Sequence, residues 1–539
     1  MVSSWPASSI TRWRRARVCK IRCLKLDVHI RCLDQMFKFV GPWQRLTLGL
    51  WLLVAISLLF VDIEIISLDP WGELLRMGQG LLMPDFFATE SLVNALWQTV
   101  SFALLGVSFG LLLGSPLALV YRSPWIAGIC AMVRGIHEIF WALLFLQVFG
   151  LSPVTGVLAI ALPYGATFAR VFHDILQQAP SNTNDTLPFG CDRLSAYFYG
   201  KLGHVLPLML AYVRYRFECA LRSSAVLGFI GMPTLGFYLE TAFRQGKYHE
   251  GAALLILFVV LIGTIPLWSR RRLLPLYLLA ALFTLPKLTS VDLQLVWQFL
   301  TVDILPPGIR EVIYGQQEFA QGLSRFASWW QRMTLEQALP GVGATLVLAI
   351  SALGLTHLLA LFGHRFASMH SRGKFSMPIG QLLLLILRSM PEYILAFIFM
   401  MLCGPSMLPA ILALGLHNGS LIAYLLTRQD SLVKPSALYQ RRSDHYGYEV
   451  LPRIYPNLMS LLFYRFEVIL RETAIFGVLG VMTLGFYIDS AFSEIRYNNA
   501  FYLLIVTALL NVLVDSLARR MLAKRLNQGM AVGQVSCVV

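Results

Sequence analysis

The sequence predicts an all-α, polytopic membrane protein with about 12 transmembrane helices, arranged as two parallel six-helix repeats. Three observations predict it: a composition too apolar for water, charge-free stretches of membrane-crossing length, and an ungapped internal repeat. Of 539 residues, 57% are apolar and 14% charged, and the mean hydropathy is +0.65; a soluble chain carries about 25% charged residues. Leu46–Phe60 with its flanks, Ser101–Val120, Ala252–Ser269 and Pro405–Thr427 run without a charge. About 20 apolar residues in a helix cross a hydrocarbon core of about 30 Å.

The repeat decides the organisation. Residues 215–248, YRFECALRSSAVLGFIGMPTLGFYLETAFRQGKY, recur 249 positions later as YRFEVILRETAIFGVLGVMTLGFYIDSAFSEIRY, with 17 of 34 positions identical. The identities include the charged pairs Arg216/Arg465, Glu218/Glu467 and Arg222/Arg471, which shared hydrophobicity does not produce. Upstream, Arg134, Glu138, Ala142, Phe145 and Gly150 match Arg388, Glu392, Ala396, Phe399 and Gly404 at an offset of 254. The first copy is therefore five residues longer between the blocks, a surplus expected in Ser181–Asp185.

Expected spans in the first copy are 45–65, 92–121, 126–150, 153–177, 207–231 and 250–269; in the second, 272–288, 339–363, 377–402, 406–427, 456–480 and 498–518. The chain divides into a basic tail (1–40), a first repeat (41–270, core 90–270), a second repeat (271–525, core 335–525) and a C-terminal tail (526–539). The formal net charge is +15, and Arg270–Arg272, Arg519, Arg520, Lys524 and Arg525 follow spans directly. Basic residues collect at cytoplasmic helix ends, so both termini are expected in the cytoplasm and no nucleic-acid partner is needed. The segments 66–91 and 289–338 then face outside, with short interfacial helices. Residues 1–35 hold eight of the basic residues and no signal-peptide core. Two readings stay open: a basic tail held inside by charge, or a true start at Met36. Cys19, Cys23 and Cys32 near His29 fit no common zinc spacing, and no metal or cofactor is expected.

Ionisable residues at membrane depth are costly, and their default reading is functional. The fifth spans carry Arg216, Glu218, Arg222 and Arg465, Glu467, Arg471. The i,i+4 spacing pairs Glu218 with Arg222 and Glu467 with Arg471. This leaves Arg216 and Arg465 as surplus cations suited to an oxyanion. The competing reading is that these charges pin helices together or reach the cytoplasmic interface. Glu138 and Glu392 follow Arg134 and Arg388 by four residues and read first as structural ion pairs, then as pore lining. Gly231, Gly236, Gly480 and Gly485 end the fifth spans; they are either a gate or plain helix terminators.

None of the nine lysines precedes Ser or Thr, so there is no Walker A loop, and HExxH is absent too. The string GxSxG at 106–110 lies inside a span, without the strand-to-helix turn of a nucleophile elbow, and reads as helix-packing glycines. No enzyme is expected.

RGIHEIFWALLF (134–145), RSMPEYILAFIF (388–399), the turns ALPYGA (161–166) and GLHNGS (415–420) and the two YRFE blocks resemble the type I permease subunits of bacterial ABC importers, and among them the phosphonate-importer permeases. The resemblance covers about 90–285 and 335–525. It implies a multi-pass protein of the bacterial inner membrane, surrounded by lipid. Such a protein would pass a small oxyanion of the phosphonate, phosphite or phosphate class into the cytoplasm. It implies two separate ATPase subunits and a periplasmic or lipid-anchored substrate-binding protein. It also implies ATPase-coupling loops of the EAA type at 178–206 (Gly190, Asp192, Arg193) and 428–455 (Tyr439, Arg441, Arg442), although neither keeps Glu-Ala-Ala. A transporter or channel driven by an ion gradient is the alternative the layout allows.

Overall fold

Proline opens many of the helices, where its fixed φ suits the first turn and its missing N–H costs nothing. The computed structural model describes residues 42–65, 69–177, 192, 195–270, 272–285, 292–368, 376–429 and 442–526. Residues 1–59 and 60–539 form two units. Of the first, the described part is α1 (Pro42–Leu58).

In the second unit α2 (Pro70–Leu82) is followed by α3 (Leu92–Val120), α4 (Pro124–Gly135), α5 (Glu138–Phe149), α6 (Pro153–Gln177), α7 (Gly203–Val226), α8 (Leu235–Arg244) and α9 (Tyr248–Gly263). Then come α10 (Leu274–Thr284), short helical turns, and α11 (Phe319–Met333). The order of α3 to α9 recurs in α12 (Leu339–Ala367), α13 (Ser376–Ser389), α14 (Glu392–Cys403), α15 (Met407–Thr427), α16 (Leu451–Val478), α17 (Leu484–Ser493) and α18 (Tyr497–Leu526).

Among the described residues the regular structure is all helical, and the exterior carries many large apolar side chains. Leu112, Leu282, Leu509 and Leu513 are each more than half exposed, while Arg134, Glu138, Arg465, Glu472 and Asp515 are buried. Such a surface suits hydrocarbon, and with these helices the chain is an integral membrane protein. Among the described residues, five helices are long and apolar enough to cross a membrane, or up to eight spans if each of three bent pairs counts as one. Among the described residues, three shorter apolar helices, Trp43–Leu58, Tyr248–Gly263 and Leu274–Thr284, overlap the expected spans 45–65, 250–269 and 272–288.

The expected spans 126–150 and 377–402 are not continuous helices. Each is a pair, α4 with α5 and α13 with α14, bent by 92°. In the second pair the cause is Pro391, which caps α14 and disfavours helix at Met390 before it. In the first, α4 ends on Gly135, and His137 caps α5 by accepting the Ile139 N–H at Nδ1 (3.2 Å). The expected span 207–231 is covered by α7 and one further helical turn, and the chain bends by 53° after it into α8.

The string at 106–110 packs as expected of helix glycines. A Cβ on Gly106 would strike Ile160 of α6, and one on Gly114 would strike the Gly165 carbonyl. These two helices therefore approach at backbone distance, as small residues allow in membranes.

Candidate functional site

The two bends move charges to helix ends. Arg134 and Arg388 sit in the last turns of α4 and α13, and Glu138 and Glu392 in the first turns of α5 and α14. Each charge thereby meets the helix terminus of opposite partial charge. The same break separates Arg134 from Glu138 and Arg388 from Glu392, so the ion pairs expected from the four-residue spacing do not form. Instead, Glu138 faces His137 (3.3 Å) and Glu392 faces His417 (3.6 Å).

The i,i+4 pairs expected on the fifth spans are also replaced. Glu467 of α16 pairs with Arg134 of α4 at 3.2 Å, and Glu218 of α7 pairs with Arg388 of α13 at 3.7 Å. Each glutamate thus reaches the other copy's arginine. Arg222 instead contacts His417 Nε2 (3.1 Å), and Arg471 donates to the Arg134 carbonyl (3.4 Å) at the end of α4. A helix C-terminus offers unpaired carbonyls for such a contact.

The two cross-copy contacts differ in strength. Arg134 also meets Asp515 of α18 at 3.1 Å, and Asp515 further holds Arg170 (3.3 Å) and Arg519 (2.5 Å). Pro266 occupies the position matched to Asp515, and Tyr424 the position matched to Arg170. Arg388 accordingly stacks on the Tyr424 ring, 4.2 Å from its centroid, and has Glu218 as its carboxylate.

Between these contacts lies a cavity of about 620 Å³ lined by both copies. Of the residues singled out in the sequence, Arg216, Arg222, Arg465, Glu467, Arg471, Glu138 and Glu392 line it; Glu218 does not. Arg216 and Arg465 have no carboxylate within 4 Å among the described residues, but neither do Arg222 and Arg471, so the surplus of positive charge is not confined to the two arginines the spacing left over. Arg216 donates from Nε to the Tyr212 hydroxyl at 2.8 Å and lies 5.3–5.9 Å from the ring centroids of Tyr164, Tyr212 and Tyr215. Arg465 is only 8% exposed.

Arg170, Glu472, Asn418 and Tyr212, which sequence reasoning passed over, belong to the same surroundings. Asn418 donates to Glu472 at 3.2 Å. Glu472 has Ser223 at its matched position, so a search for repeated charges misses it. Asp515 carries a signal that was available: it is the one charged residue in the expected span 498–518.

The gate candidates lie at the turns between α7 and α8 and between α16 and α17, away from the cavity lining. Gly231 and Gly480 have φ of +93° and +99°, a left-handed conformation that favours glycine. Gly236 and Gly485 let α8 and α17 fold against the helices before them, because a Cβ on either would overlap the carbonyl of Ala225 or Ala474. Each turn is tied to a long helix: Thr99 accepts the Leu235 N–H (2.9 Å) and Thr345 the Leu484 N–H (3.1 Å). Among the coupling-loop residues, Asp192 is exposed and Arg442 opens a short helix, Arg442–His445. Gly190, Arg193, Tyr439, Arg441, the surplus Ser181–Asp185 and the basic tail lie outside the described residues.

Broken spans, glycine-tied turns and a charged cavity shared by two matched blocks are features of a transport protein. The chain is similar to a phosphate-import permease of Mycolicibacterium smegmatis, 24% identical over 464 residues, covering 78% of this chain and 83% of that one. It is similar to a phosphite transport system permease of Stutzerimonas stutzeri, 26% identical over 198 residues, 34% of this chain and 71% of that one. A cryptic phosphonate transport system permease of Escherichia coli K12 is 34% identical over 82 residues, 15% of this chain and 67% of that one. No family model and no solved structure matches the sequence. The chain belongs to the phosphonate-importer permease family of ABC transporters.

Proposed function

We propose that this ABC-importer permease carries a small phosphorus oxyanion, of the phosphonate, phosphite or phosphate class, through a conduit formed where its two six-helix repeats face each other. The observation that carries the reading is the shared cavity, in which Arg216 and Arg465 lack carboxylate partners. A guanidinium kept from water and without a counter-ion is stabilised by an arriving anion, and its paired N–H groups fit a tetrahedral oxyanion. The names of the similar proteins support the same substrate class.

In this reading about 12 spans make up the two repeats. The five long helices, three bent pairs and three shorter helices account for most of them, and α16 completes the set despite its charges. A match of 464 residues to one relative supports reading both copies as one pseudo-dimeric permease. Both termini and the loops 178–206 and 428–455 face the cytoplasm. Two separate ATPase subunits press on those loops, and an external substrate-binding protein delivers the anion. ATP-driven closure rocks the halves, and the glycine-bearing turns at Gly231, Gly236, Gly480 and Gly485 act as the gate.

The test is uptake of phosphonate, phosphite and phosphate by cells that depend on this chain and its partner subunits. Arg216→Ala combined with Arg465→Ala is expected to abolish uptake while membrane insertion, followed by immunoblotting of membranes, is unchanged. Normal uptake by the double variant would remove both arginines from the pathway.

A further inference from the structure

The oxyanion reading treats Arg216 and Arg465 as equals, but their surroundings are not equal. Arg216 is engaged by its own copy: its Nε donates to the Tyr212 hydroxyl at 2.8 Å, and tyrosine rings surround its guanidinium. The negative face of an aromatic ring offsets part of a cation's charge. The positions matched to Tyr212 and Tyr164 are Leu461 and Asn418, while Tyr464 matches Tyr215, so two of the three rings of this cage, with the hydroxyl that accepts from Arg216, have no counterpart around Arg465. Asn418 is itself engaged, its amide nitrogen donating to Glu472 and to the Leu414 carbonyl.

Arg465 is more than nine-tenths buried and lines the cavity, and among the described residues no hydrogen bond or ion pair reaches it. Its nitrogens are also absent from those sealed away without a partner, so they open onto the cavity space. A buried guanidinium with no hydrogen-bond acceptor and no carboxylate within 4 Å, on which Glu472 acts only from farther off, is the cavity arginine with most to gain from an anion.

We infer that the oxyanion site is one-sided: Arg465 is the primary anion contact, and Arg216 is a second cation restrained by Tyr212. The inference rests on the oxyanion reading above and adds to it a specificity-determining residue on one repeat only. It also assigns Leu461 a role, since a smaller reach and no hydroxyl at that position leave Arg465 uncaged.

The experiment uses the full-length chain in lipid nanodiscs, with methylphosphonate as the probe and the ligand-induced rise in melting temperature as the readout. Saturable stabilisation of the unchanged protein is expected. Arg465→Ala weakens the apparent affinity by at least about tenfold, the order expected for losing a charge-assisted hydrogen bond. Arg216→Ala weakens it by less than about threefold, because a guanidinium already engaged by the Tyr212 hydroxyl and the tyrosine rings contributes attraction without a new direct hydrogen bond. Leu461→Tyr, which supplies the missing cage, weakens binding although it leaves Arg465 in place.

Equal losses in the two alanine variants, or a larger loss in Arg216→Ala, overturn the one-sided site while leaving the oxyanion pathway standing. No response of the unchanged protein to methylphosphonate, phosphite or phosphate overturns the pathway itself. Should Arg465→Ala fail to fold, Arg465→Lys and Arg216→Lys carry the comparison. The first must lose more affinity than the second, and the reverse order sinks the assignment.

Discussion

Asp515 is the anion on which three arginines converge: Arg134, Arg170 and Arg519 all lie within hydrogen-bond distance of it. Removing one member of a buried ionic network leaves its partners uncompensated, at a cost of roughly 3–5 kcal/mol. Asp515→Asn is therefore expected to lower the melting temperature of the purified protein markedly. Glu218 is a quarter exposed and stands 3.7 Å from Arg388, so Glu218→Gln is expected to cost no more than about 1 kcal/mol. Parallel thermal unfolding of the two variants checks the contrast, and equal shifts would contradict it.

At this scale the positions of the charges were legible and their partners were not. An arginine or glutamate in an apolar stretch is its own signal, and seven of the eight pathway candidates line the cavity. The i,i+4 rule assigned Glu467 to Arg471 because it compares residues on one helix only. Arg134, 333 positions away in sequence, is the nearer partner in space. Glu472 stayed hidden for a different reason, because duplication was the filter and Ser223 stands opposite it.

Among the elements, the breaks are as informative as the helices. Hydropathy located 126–150 and 377–402 as apolar segments, but a sliding average does not register a 92° bend. Pro391 is a signal of one break that the reading of 377–402 as a single span passed over; the other depends on Gly135 and on His137 as a cap, a weaker sequence signal. Gly236 and Gly485 were visible through repetition, and their reason is the overlap a Cβ would make with the Ala225 or Ala474 carbonyl. Gly236→Val and Gly485→Val are expected to force α8 and α17 off the preceding helices and to reduce the yield of monodisperse protein in size-exclusion chromatography. Gly343→Val, at a glycine with open space around it, is the control and is expected to leave that yield unchanged.

For the molecule as a whole, the positively charged loops predict its sidedness. Cysteines introduced at Arg270 and Arg442 are expected to react with a membrane-impermeant maleimide only after the cytoplasmic face is opened to it. Labelling from the outside of intact cells would reverse the proposed orientation. The all-helical class was legible from composition and repeat. The number of spans was less so, because α16 has the length of a span and the charge load of a binding surface.

The replacement of Asp515 by a proline at its matched position has a mechanical consequence. One joint between the halves is bolted by a multi-armed ionic cluster, while the other is latched by a single long ion pair. A machine fastened unequally on its two sides opens like a door rather than a pair of sliding panels. Spin labels set across each joint are then expected to report a broad distance distribution beside Arg388 and a narrow one beside Arg134.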